Sequence, residues 1–324
     1  MKSIIQTINL TKKFGDFVAN NNISLDIKEG EIRCIVGENG AGKSTLMNML
    51  YGLVAPSSGK ILIRGEEVKM TNPLTAIGVG IGMVHQHFKL VSSLTVYENI
   101  LLGVEIKKKN SPLIDKKEEI KKVAKMIEDN HLQLNPTDKI EDISIGERQR
   151  VEILKMLYRN VDILILDEPT AVLTPKEVDD LIATLKLLKE QGKTIIVITH
   201  KLREVMELAD SITVLKHGNV VGDVLKQDTD EKEIARMMVG RDVCLTVQND
   251  RKHTVEKQVV YQVDNLNVLN DDGKKVINNV SFKVNKGEIF GIAGVEGNGQ
   301  SELIKVLTGL MEAESGNVIL YGKN

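Results

Sequence analysis

The sequence predicts an α/β protein with a mostly parallel sheet, and three observations support that prediction. Short apolar segments such as 163–166 and 194–199 are bounded by turn residues, as buried strands are. A helical pattern over 176–190, which stops at Gly192, separates these two segments. A glycine-rich loop joins the apolar segment 32–36 to a further helical segment. Strands that alternate with helices in this way indicate a parallel sheet covered by helices.

The glycine-rich loop, Gly37–Thr45, fits the pattern G-x-x-x-x-G-K-[ST], which binds the phosphates of ATP or GTP. Its glycines let backbone N–H groups turn towards phosphate oxygens, and the helix that follows adds partial positive charge. We expect Lys43 to contact the β- and γ-phosphates and the Ser44 hydroxyl to hold Mg²⁺. The predicted nucleotide-binding residues of the loop are Gly37, Asn39, Gly40, Ala41, Gly42, Lys43, Ser44 and Thr45.

Polar residues follow three of the predicted strands. Asp167 ends the segment 163–166 and is expected to bind Mg²⁺, directly or through water. Glu168 comes next and is placed to act as a general base on the attacking water. His200 follows the segment 194–199, from which it is expected to reach the γ-phosphate. Gln86 follows the apolar segment 80–84, and its amide is predicted to contact Mg²⁺ or the water.

Two patterns have competing interpretations. His85 and His87 form an H-x-H pair, but no further ligand lies near in sequence, so a separate metal site is not predicted. Ser144 precedes an apolar helix over 151–158, and Glu147 completes a capping box with it. The same helix N-terminus is also suited to face a phosphate. The pattern alone leaves these two roles of the segment 144–150 open.

Part of the sequence repeats, since the segment around Gly37 returns without gaps around Gly294. A repeat of this length predicts a second copy of the same domain. The predicted organisation is a first domain at 1–241 with a helical subdomain at about 88–160, a linker at 242–257, and the N-terminal part of a second domain at 258–324. Because the second copy stops soon after its loop, we expect the chain to be a fragment of a longer tandem protein.

Composition disfavours several function classes. The chain of 324 residues has 43 Lys and Arg against 45 Asp and Glu, which argues against a general binder of nucleic acid or membrane surfaces. It contains no Trp and only 3% aromatic residues, so a base-stacking platform for nucleic acid is not expected. No apolar run reaches the length of a membrane span. If the protein serves a membrane process, another chain is expected to cross the bilayer.

Together these motifs, in this order, resemble the ATP-binding cassette (ABC) family over essentially the whole chain. The matching segments are the Walker A motif Gly37–Thr45, the Q-loop at Gln86, the signature Ser144–Arg148, the Walker B pair Asp167 and Glu168, the D-loop Ala171–Thr174 and the switch His200. The resemblance implies that Phe14 stacks on adenine, although core packing is an alternative role. It implies that Ser144 and Gly146 face the γ-phosphate of a nucleotide bound to another cassette.

The resemblance also implies a fold, cofactors and partners. The fold is a P-loop NTPase of the ABC type, with an N-terminal antiparallel β part and a helical subdomain. The cofactors are ATP and Mg²⁺. The implied partners are membrane-spanning permease subunits, indirectly an extracytoplasmic solute-binding protein, and the second cassette of the same full-length chain, with no nucleic acid. The implied location is peripheral, on the cytoplasmic face of the cell membrane.

Within this family the chain is similar to the tandem ATPase subunits of bacterial importers for simple sugars and nucleosides. The segments 83–88 and 294–300 resemble the nucleoside branch most. The implied function is an ATP-hydrolysing subunit that powers import of a nucleoside or a simple sugar. A soluble ABC ATPase that acts in translation or DNA repair is the alternative. Residues 88, 90 and 95–100 are expected to form much of the groove for a coupling helix, or else to pack only within their own subdomain.

Departures from the family pattern affect the expected activity. Ile145 and Glu147 replace a glycine and the glutamine of the usual signature, and Thr174 replaces the D-loop aspartate. In the second copy Gln300 replaces the lysine and Glu302 the threonine of the loop, which should weaken nucleotide binding. We therefore expect Mg-ATP to bind the first copy alone. We also expect slow hydrolysis, because the signature that completes this site would lie in the second copy beyond residue 324.

Overall fold

The structure, a computed structural model, describes residues 2–86, 88–109, 111–240, 258–270, 273–294 and 297–323. It divides the chain into two compact units, Met1–Leu245 and Thr246–Asn324. The predicted linker at 242–257 lies outside the described residues, and so do His87 of the H-x-H pair and part of the second glycine-rich loop. The exact domain bounds therefore stay a prediction.

The first unit combines two sheets with helices. Its strands are β1 (Ser3–Phe14), β2 (Phe17–Lys28), β3 (Ile32–Val36), β4 (Ser58–Ile63), β5 (Glu66–Glu67), β6 (Ile81–Val84), β7 (Ile163–Asp167), β8 (Thr194–Thr199), β9 (Ser211–Lys216) and β10 (Asn219–Leu225). Its helices are α1 (Lys43–Leu50), α2 (Pro73–Gly78), α3 (Val96–Leu101), α4 (Lys116–Asp129), α5 (Ile145–Tyr158), α6 (Pro175–Glu190), α7 (Leu202–Leu208) and α8 (Glu231–Val239).

The larger sheet has the strand order β10-β9-β3-β8-β7-β6. Its strands run parallel except β10, which pairs antiparallel with β9. Every residue of β3, β7 and β8 is buried, as expected for strands covered on both faces. The prediction of a mostly parallel sheet is therefore confirmed. Since β3, β7 and β8 are parallel, the loops at their carboxyl ends lie along one edge.

The smaller sheet is antiparallel, with the order β2-β1-β4-β5, and confirms the expected N-terminal antiparallel part. Strands β1 and β2 form a hairpin in which Phe14 lies opposite Phe17. Gly15 in the two-residue turn has a φ of +58°, a conformation that glycine adopts without strain. The hairpin therefore presents two phenylalanines side by side at its tip.

A helical part is also present. Helices α3, α4 and α5 share a hydrophobic core that includes Val96, Ile100, Val123 and Leu154. The apolar residues of α4 face this core, while most of its lysines and glutamates are exposed. Helix α5 begins at Ile145, so the polar residues up to Arg150 belong to the helix rather than to a loop before it.

The second unit contains β11 (Val259–Leu269), β12 (Lys275–Asn285), α9 (Gln300–Leu307) and β13 (Ser315–Leu320). The strand order β12-β11-β13 repeats the order β2-β1-β4 of the first unit. The segment 289–293, which repeats β3, forms no strand, and Ile289 is fully exposed. In the first unit β3 pairs with β8 and β9. The described part of the second unit has no counterpart of those two strands, so this segment has nothing to pair with.

Candidate nucleotide-binding site

Glycines and strand β2 together shape the Gly37–Thr45 loop. Gly42, just before α1, has a φ of +96°, which a residue with a side chain rarely adopts. A Cβ atom at Gly42 would also collide with the carbonyl oxygen of Ala19 in β2. The side-chain amide of Asn20 donates a hydrogen bond of 3.1 Å to the carbonyl oxygen of Gly42. Strand β2 therefore packs against the loop and supports its conformation.

The ammonium group of Lys43 is anchored within the same loop. It donates hydrogen bonds to the carbonyl oxygens of Gly37 at 2.7 Å and Glu38 at 2.9 Å. Burial lowers the pKa of the Lys43 ammonium, while the negative charges of Glu168 and Asp167 oppose that shift. These two carboxylates are therefore close enough to act on the lysine electrostatically.

An oxygen pair suited to Mg²⁺ lies beside the lysine. The hydroxyl of Ser44, in the first turn of α1, donates a hydrogen bond of 3.4 Å to Oδ1 of Asp167 at the end of β7. Burial raises the pKa of the Asp167 carboxyl; the Ser44 hydrogen bond opposes this rise and the charge of Glu168 adds to it. A buried carboxylate beside a hydroxyl matches the oxygen ligands that Mg²⁺ prefers. The residues present therefore fit the metal that the sequence predicts.

Glu168 and His200 meet at the carboxyl ends of β7 and β8. Nδ1 of His200 lies 3.2 Å from Oε1 of Glu168. The backbone N–H of Glu168 donates to the carbonyl oxygen of Ile198 at 3.0 Å. Glu168 has a φ of +45°, an uncommon and costly conformation for a residue with a side chain. The pairing of β7 with β8 places the carboxylate beside the imidazole.

A cavity of about 420 Å³ lies at this edge of the sheet. Its lining residues are Phe17, Ala19, Asn39, Gly40, Ala41, Gly42, Lys43, Ser44, Thr45, Gln86 and Glu168. The structure therefore brings together the predicted loop residues with Gln86 and Glu168. Gln86 itself is exposed, whereas the preceding His85 is half-buried with its ring edge-on to Tyr51.

The aromatic residue that lines this cavity is Phe17, which the sequence analysis missed. Phe14 is not among the lining residues, and the Lys12 ammonium lies 4.9 Å from the centre of its ring. The sequence signal that could have identified Phe17 is its position opposite Phe14 across a two-residue hairpin turn. A role of Phe14 in adenine binding stays a prediction.

The signature residues lie apart from this cavity, since neither Ser144 nor Gly146 lines it. The Ser144 hydroxyl accepts from the backbone N–H of Glu147 at 3.2 Å, and a Glu147 carboxylate oxygen accepts from the Ser144 N–H at 2.8 Å. The predicted capping box is therefore present. The backbone N–H of Gly146 donates to Oε1 of Glu177 at 3.1 Å. Sequence reasoning did not foresee this contact between α5 and α6.

Thr174, which stands at the D-loop aspartate position, caps helix α6. Its hydroxyl and backbone N–H both pair with the carboxylate of Glu177 at 2.9 Å, and Pro175 occupies the first helical position. This role also escaped the sequence analysis. The pattern Thr-Pro-Lys-Glu at 174–177 is the signal that indicates it.

Only part of the expected groove for a coupling helix lies at the surface. Val96 and Ile100 are fully buried in the core of the helical part, so they pack within their own subdomain. Phe88 and Leu90 are half-buried, and Leu90 packs against the same core. Within the described ranges, no helix is long and apolar enough to span a membrane.

Comparison with known proteins identifies relatives. The chain is 46% identical over 323 residues to the nucleoside import ATP-binding protein NupA of Lactococcus lactis. It is 47% identical over 323 residues to the guanosine import ATP-binding protein NupO of Bacillus subtilis. Each alignment covers 100% of this chain but only 63% and 62% of the two relatives. A glucose import ATP-binding protein of Haloferax volcanii is 40% identical over 344 residues, covering 98% of this chain and 62% of the relative.

Solved structures also match this chain. The ADP conformation of MJ1267, an ATP-binding cassette of an ABC transporter, superposes with a TM-score of 0.64 at 28% identity. That match covers 74% of this chain and 96% of the other. MJ0796, a dimeric cassette bound to ADP and Pi, gives a TM-score of 0.58 at 30% identity over 69% of this chain and 99% of the other.

The sequence model of the family described as ABC transporter matches residues 20–171 and 277–324. These two segments contain the first glycine-rich loop with the strand-end carboxylates, and the repeat of that loop in the second unit. The resemblance predicted from the motifs is confirmed: the chain belongs to the ABC transporter family.

Proposed function

We propose that the first unit binds and hydrolyses Mg-ATP to drive import of a small solute, a nucleoside or a simple sugar, through separate membrane-spanning subunits. The observation that supports it best is the convergence of Lys43, Ser44 and Glu168 on one cavity, with Asp167 and His200 in contact with two of them. This set combines a phosphate-binding cation, metal ligands and a general base.

Each residue has a distinct proposed role. Loop N–H groups and Lys43 bind the phosphates of ATP, while Ser44, Asp167 and Gln86 hold Mg²⁺. Mg²⁺, when bound, neutralises charge on the β- and γ-phosphates. Glu168 accepts a proton from the attacking water, and His200 fixes the orientation of that carboxylate and stabilises charge on the γ-phosphate.

The adenine ring is proposed to lie against the hairpin tip, where Phe17 lines the cavity and Phe14 is its neighbour. Phenylalanine faces stack readily on a planar heterocycle. The residues Ser144 and Gly146 are proposed to contact the γ-phosphate of a nucleotide bound to another cassette. That contact needs a second cassette, because the two residues do not line the cavity of their own unit.

The named relatives are import ATP-binding proteins for nucleosides, guanosine and glucose, and they support the proposed transport role. The proposed partners are permease subunits and, indirectly, a solute-binding protein outside the cell membrane. The protein would then be peripheral, at the cytoplasmic face. The alternative, a soluble ABC ATPase in translation or DNA repair, is not favoured by these relatives.

We further propose that the second unit does not bind nucleotide. Helix α9 starts at Gln300 after Gly299 with a φ of +88°, as α1 starts at Lys43 after Gly42 with a φ of +96°. The backbone conformation at the start of the helix is thus repeated, but the cation is replaced by an uncharged amide. A carboxylate, Glu302, stands where Thr45 stands in the first loop and would repel phosphate. Hydrolysis by this chain alone is also proposed to be slow, because the site of the first unit needs the signature of another cassette to complete it.

Calorimetric titration of Mg-ATP into the chain tests this proposal. One binding site is expected, lost in Lys43→Ala and retained in Gln300→Ala, which changes the corresponding position of the second loop. Circular dichroism of each variant is the control, because an unchanged spectrum excludes loss of fold as the cause of lost binding. Binding that survives Lys43→Ala, or a second site removed by Gln300→Ala, would contradict the proposed asymmetry.

A further inference from the structure

Three helices in the described part of the first unit begin with the same motif, a capping box. In each, a glutamate three residues after the N-cap accepts a hydrogen bond from the backbone N–H of the N-cap. The pairs are Thr95 and Glu98 in α3, Ser144 and Glu147 in α5, and Thr174 and Glu177 in α6. The acceptor distances are 3.0, 2.8 and 2.9 Å respectively.

Glu177 differs from the other two in the use of its second carboxylate oxygen. Oε2 caps its own helix, α6, while Oε1 accepts from the backbone N–H of Gly146 in α5 at 3.1 Å, 31 residues away in sequence. The second oxygen of Glu98 instead accepts from the Tyr97 hydroxyl, its immediate neighbour, at 3.2 Å. One carboxylate therefore links the signature segment to the D-loop.

The contact between Glu177 and Gly146 is close and requires a glycine. The N–H of Gly146 belongs to the first turn of α5, where backbone N–H groups have no partner within the helix. A Cβ atom at residue 146 would lie 2.6 Å from Oε1 of Glu177. The N–H of Thr174, the Thr174 hydroxyl, the Gly146 N–H and the Ser144 hydroxyl lower the pKa of the Glu177 carboxyl, against the opposing effect of burial. The carboxylate is thus held in its charged form.

We propose that Glu177 acts as an internal competitor of phosphate at the signature. Its carboxylate holds the Gly146 N–H that, under the proposed function on which this inference rests, binds the γ-phosphate of a nucleotide on the opposing cassette. A carboxylate and a phosphate are both acceptors and both negatively charged, so they cannot share one N–H at close range. An arriving γ-phosphate must therefore displace Oε1, and Glu177 sets how readily the signature engages nucleotide.

Titration with inorganic phosphate, monitored at the Gly146 amide by solution NMR, tests the competition. The variant Glu177→Gln removes the negative charge and one of the two acceptor oxygens while keeping the length of the side chain. The matched control is Glu98→Gln, the same change in the capping box of α3. We expect phosphate to shift the Gly146 signal in Glu177→Gln at a concentration at least about tenfold lower than in the wild type, since one released charge-assisted bond is worth about 1.5 kcal/mol. Glu98→Gln is expected to behave as the wild type does.

The competition is overturned if the wild type and Glu177→Gln respond at the same phosphate concentration, or if the Gly146 signal responds in neither. Hydrogen exchange in the wild type provides a second measurement that needs no substitution. The Gly146 amide is expected to exchange at least tenfold more slowly than an unprotected amide, and exchange at the unprotected rate would equally overturn the inference. Mg-ATP calorimetry on the wild type and on Glu177→Gln keeps the two proposals separate. If the wild type shows no Mg-ATP binding that depends on Lys43, the proposed function is refuted. The phosphate response of Glu177→Gln reports on Glu177 alone.

Discussion

The hydroxyl of Ser44 and the carboxylate of Asp167 lie 3.4 Å apart although 123 residues separate them in sequence. The parallel sheet produces this contact, because the loop after β3 and the end of β7 lie at the same edge. The contact brings a metal-binding hydroxyl to a carboxylate whose pKa burial raises. The site therefore holds a charge that is unfavourable until a cation compensates it.

Replacing Asp167 with Asn should stabilise the protein and abolish its response to Mg²⁺. A carboxyl whose pKa is raised in the folded state stabilises the fold at acid pH and loses that contribution as the pH rises through the folded pKa. At neutral pH we expect Asp167→Asn to gain about 1 kcal/mol in unfolding free energy. Thermal unfolding with and without Mg-ATP measures both effects. The exposed Asp179→Asn is the control, and equal behaviour of the two variants would contradict the prediction.

Glu168→Gln should retain Mg-ATP binding but lose hydrolysis. The amide keeps the size of the side chain and its place beside His200, 3.2 Å from the imidazole, but cannot accept the proton of water. We expect single-turnover hydrolysis to fall by at least about 100-fold, the usual contribution of a general base. The hydrolysis rate of His200→Ala should fall less, because the Glu168 carboxylate remains. Hydrolysis by Glu168→Gln at the wild-type rate would remove Glu168 from its proposed role.

Two glycines of the loop should respond differently to alanine. Gly40 and Gly42 both have positive φ, but a Cβ atom at Gly40 meets no protein atom within 4 Å, whereas at Gly42 it meets Ala19 and Asn20. We expect Gly40→Ala to cost about 1–2 kcal/mol of backbone strain. Gly42→Ala adds a steric clash and should cost about 3 kcal/mol in total. Chemical denaturation of the two variants measures the difference, and equal losses would show that β2 does not support the loop.

Arg33 should be among the most costly residues to remove. Its guanidinium pairs with Glu31 at 2.9 Å and Asp223 at 2.5 Å, and Glu31 and Arg33 are only 6% and 5% exposed. Arg33→Met leaves the Glu31 carboxylate buried without its cation, which should cost about 3–5 kcal/mol. The surface pair of Lys60 and Glu67 is the matched control, and Lys60→Met should cost less than about 1 kcal/mol. Denaturant unfolding of the first unit measures the loss of unfolding free energy in Arg33→Met and in Lys60→Met. Similar losses in the two variants would contradict the prediction.

Local patterns made much of the site predictable. The Gly37–Thr45 loop, Asp167 with Glu168, and His200 were recognisable because each follows an apolar strand directly in sequence. Phe17, the bond between Gly146 and Glu177, and the Arg33 network depend on strand register and helix packing. The bond between Gly146 and Glu177 and the bond between Arg33 and Asp223 join residues far apart in the chain, so no local pattern encodes them. Phe17 is different, because its place opposite Phe14 across the hairpin turn is a local signal. The segment 289–293 also needs long-range pairing, since its sequence matches β3, which pairs with β8 and β9 in the first unit, and the described part of the second unit has no counterpart of those strands.

We expect the two hydrogen bonds from Lys43 to the carbonyl oxygens of Gly37 and Glu38 to affect how quickly a nucleotide binds. An ammonium group has three N–H donors, so one remains to meet a phosphate oxygen. The loop is thus already ordered by hydrogen bonds within the folded chain. The entropy cost of ordering it is therefore part of folding and does not weaken nucleotide binding. We expect association to be limited by diffusional encounter with the nucleotide, without a slow rearrangement of the loop afterwards.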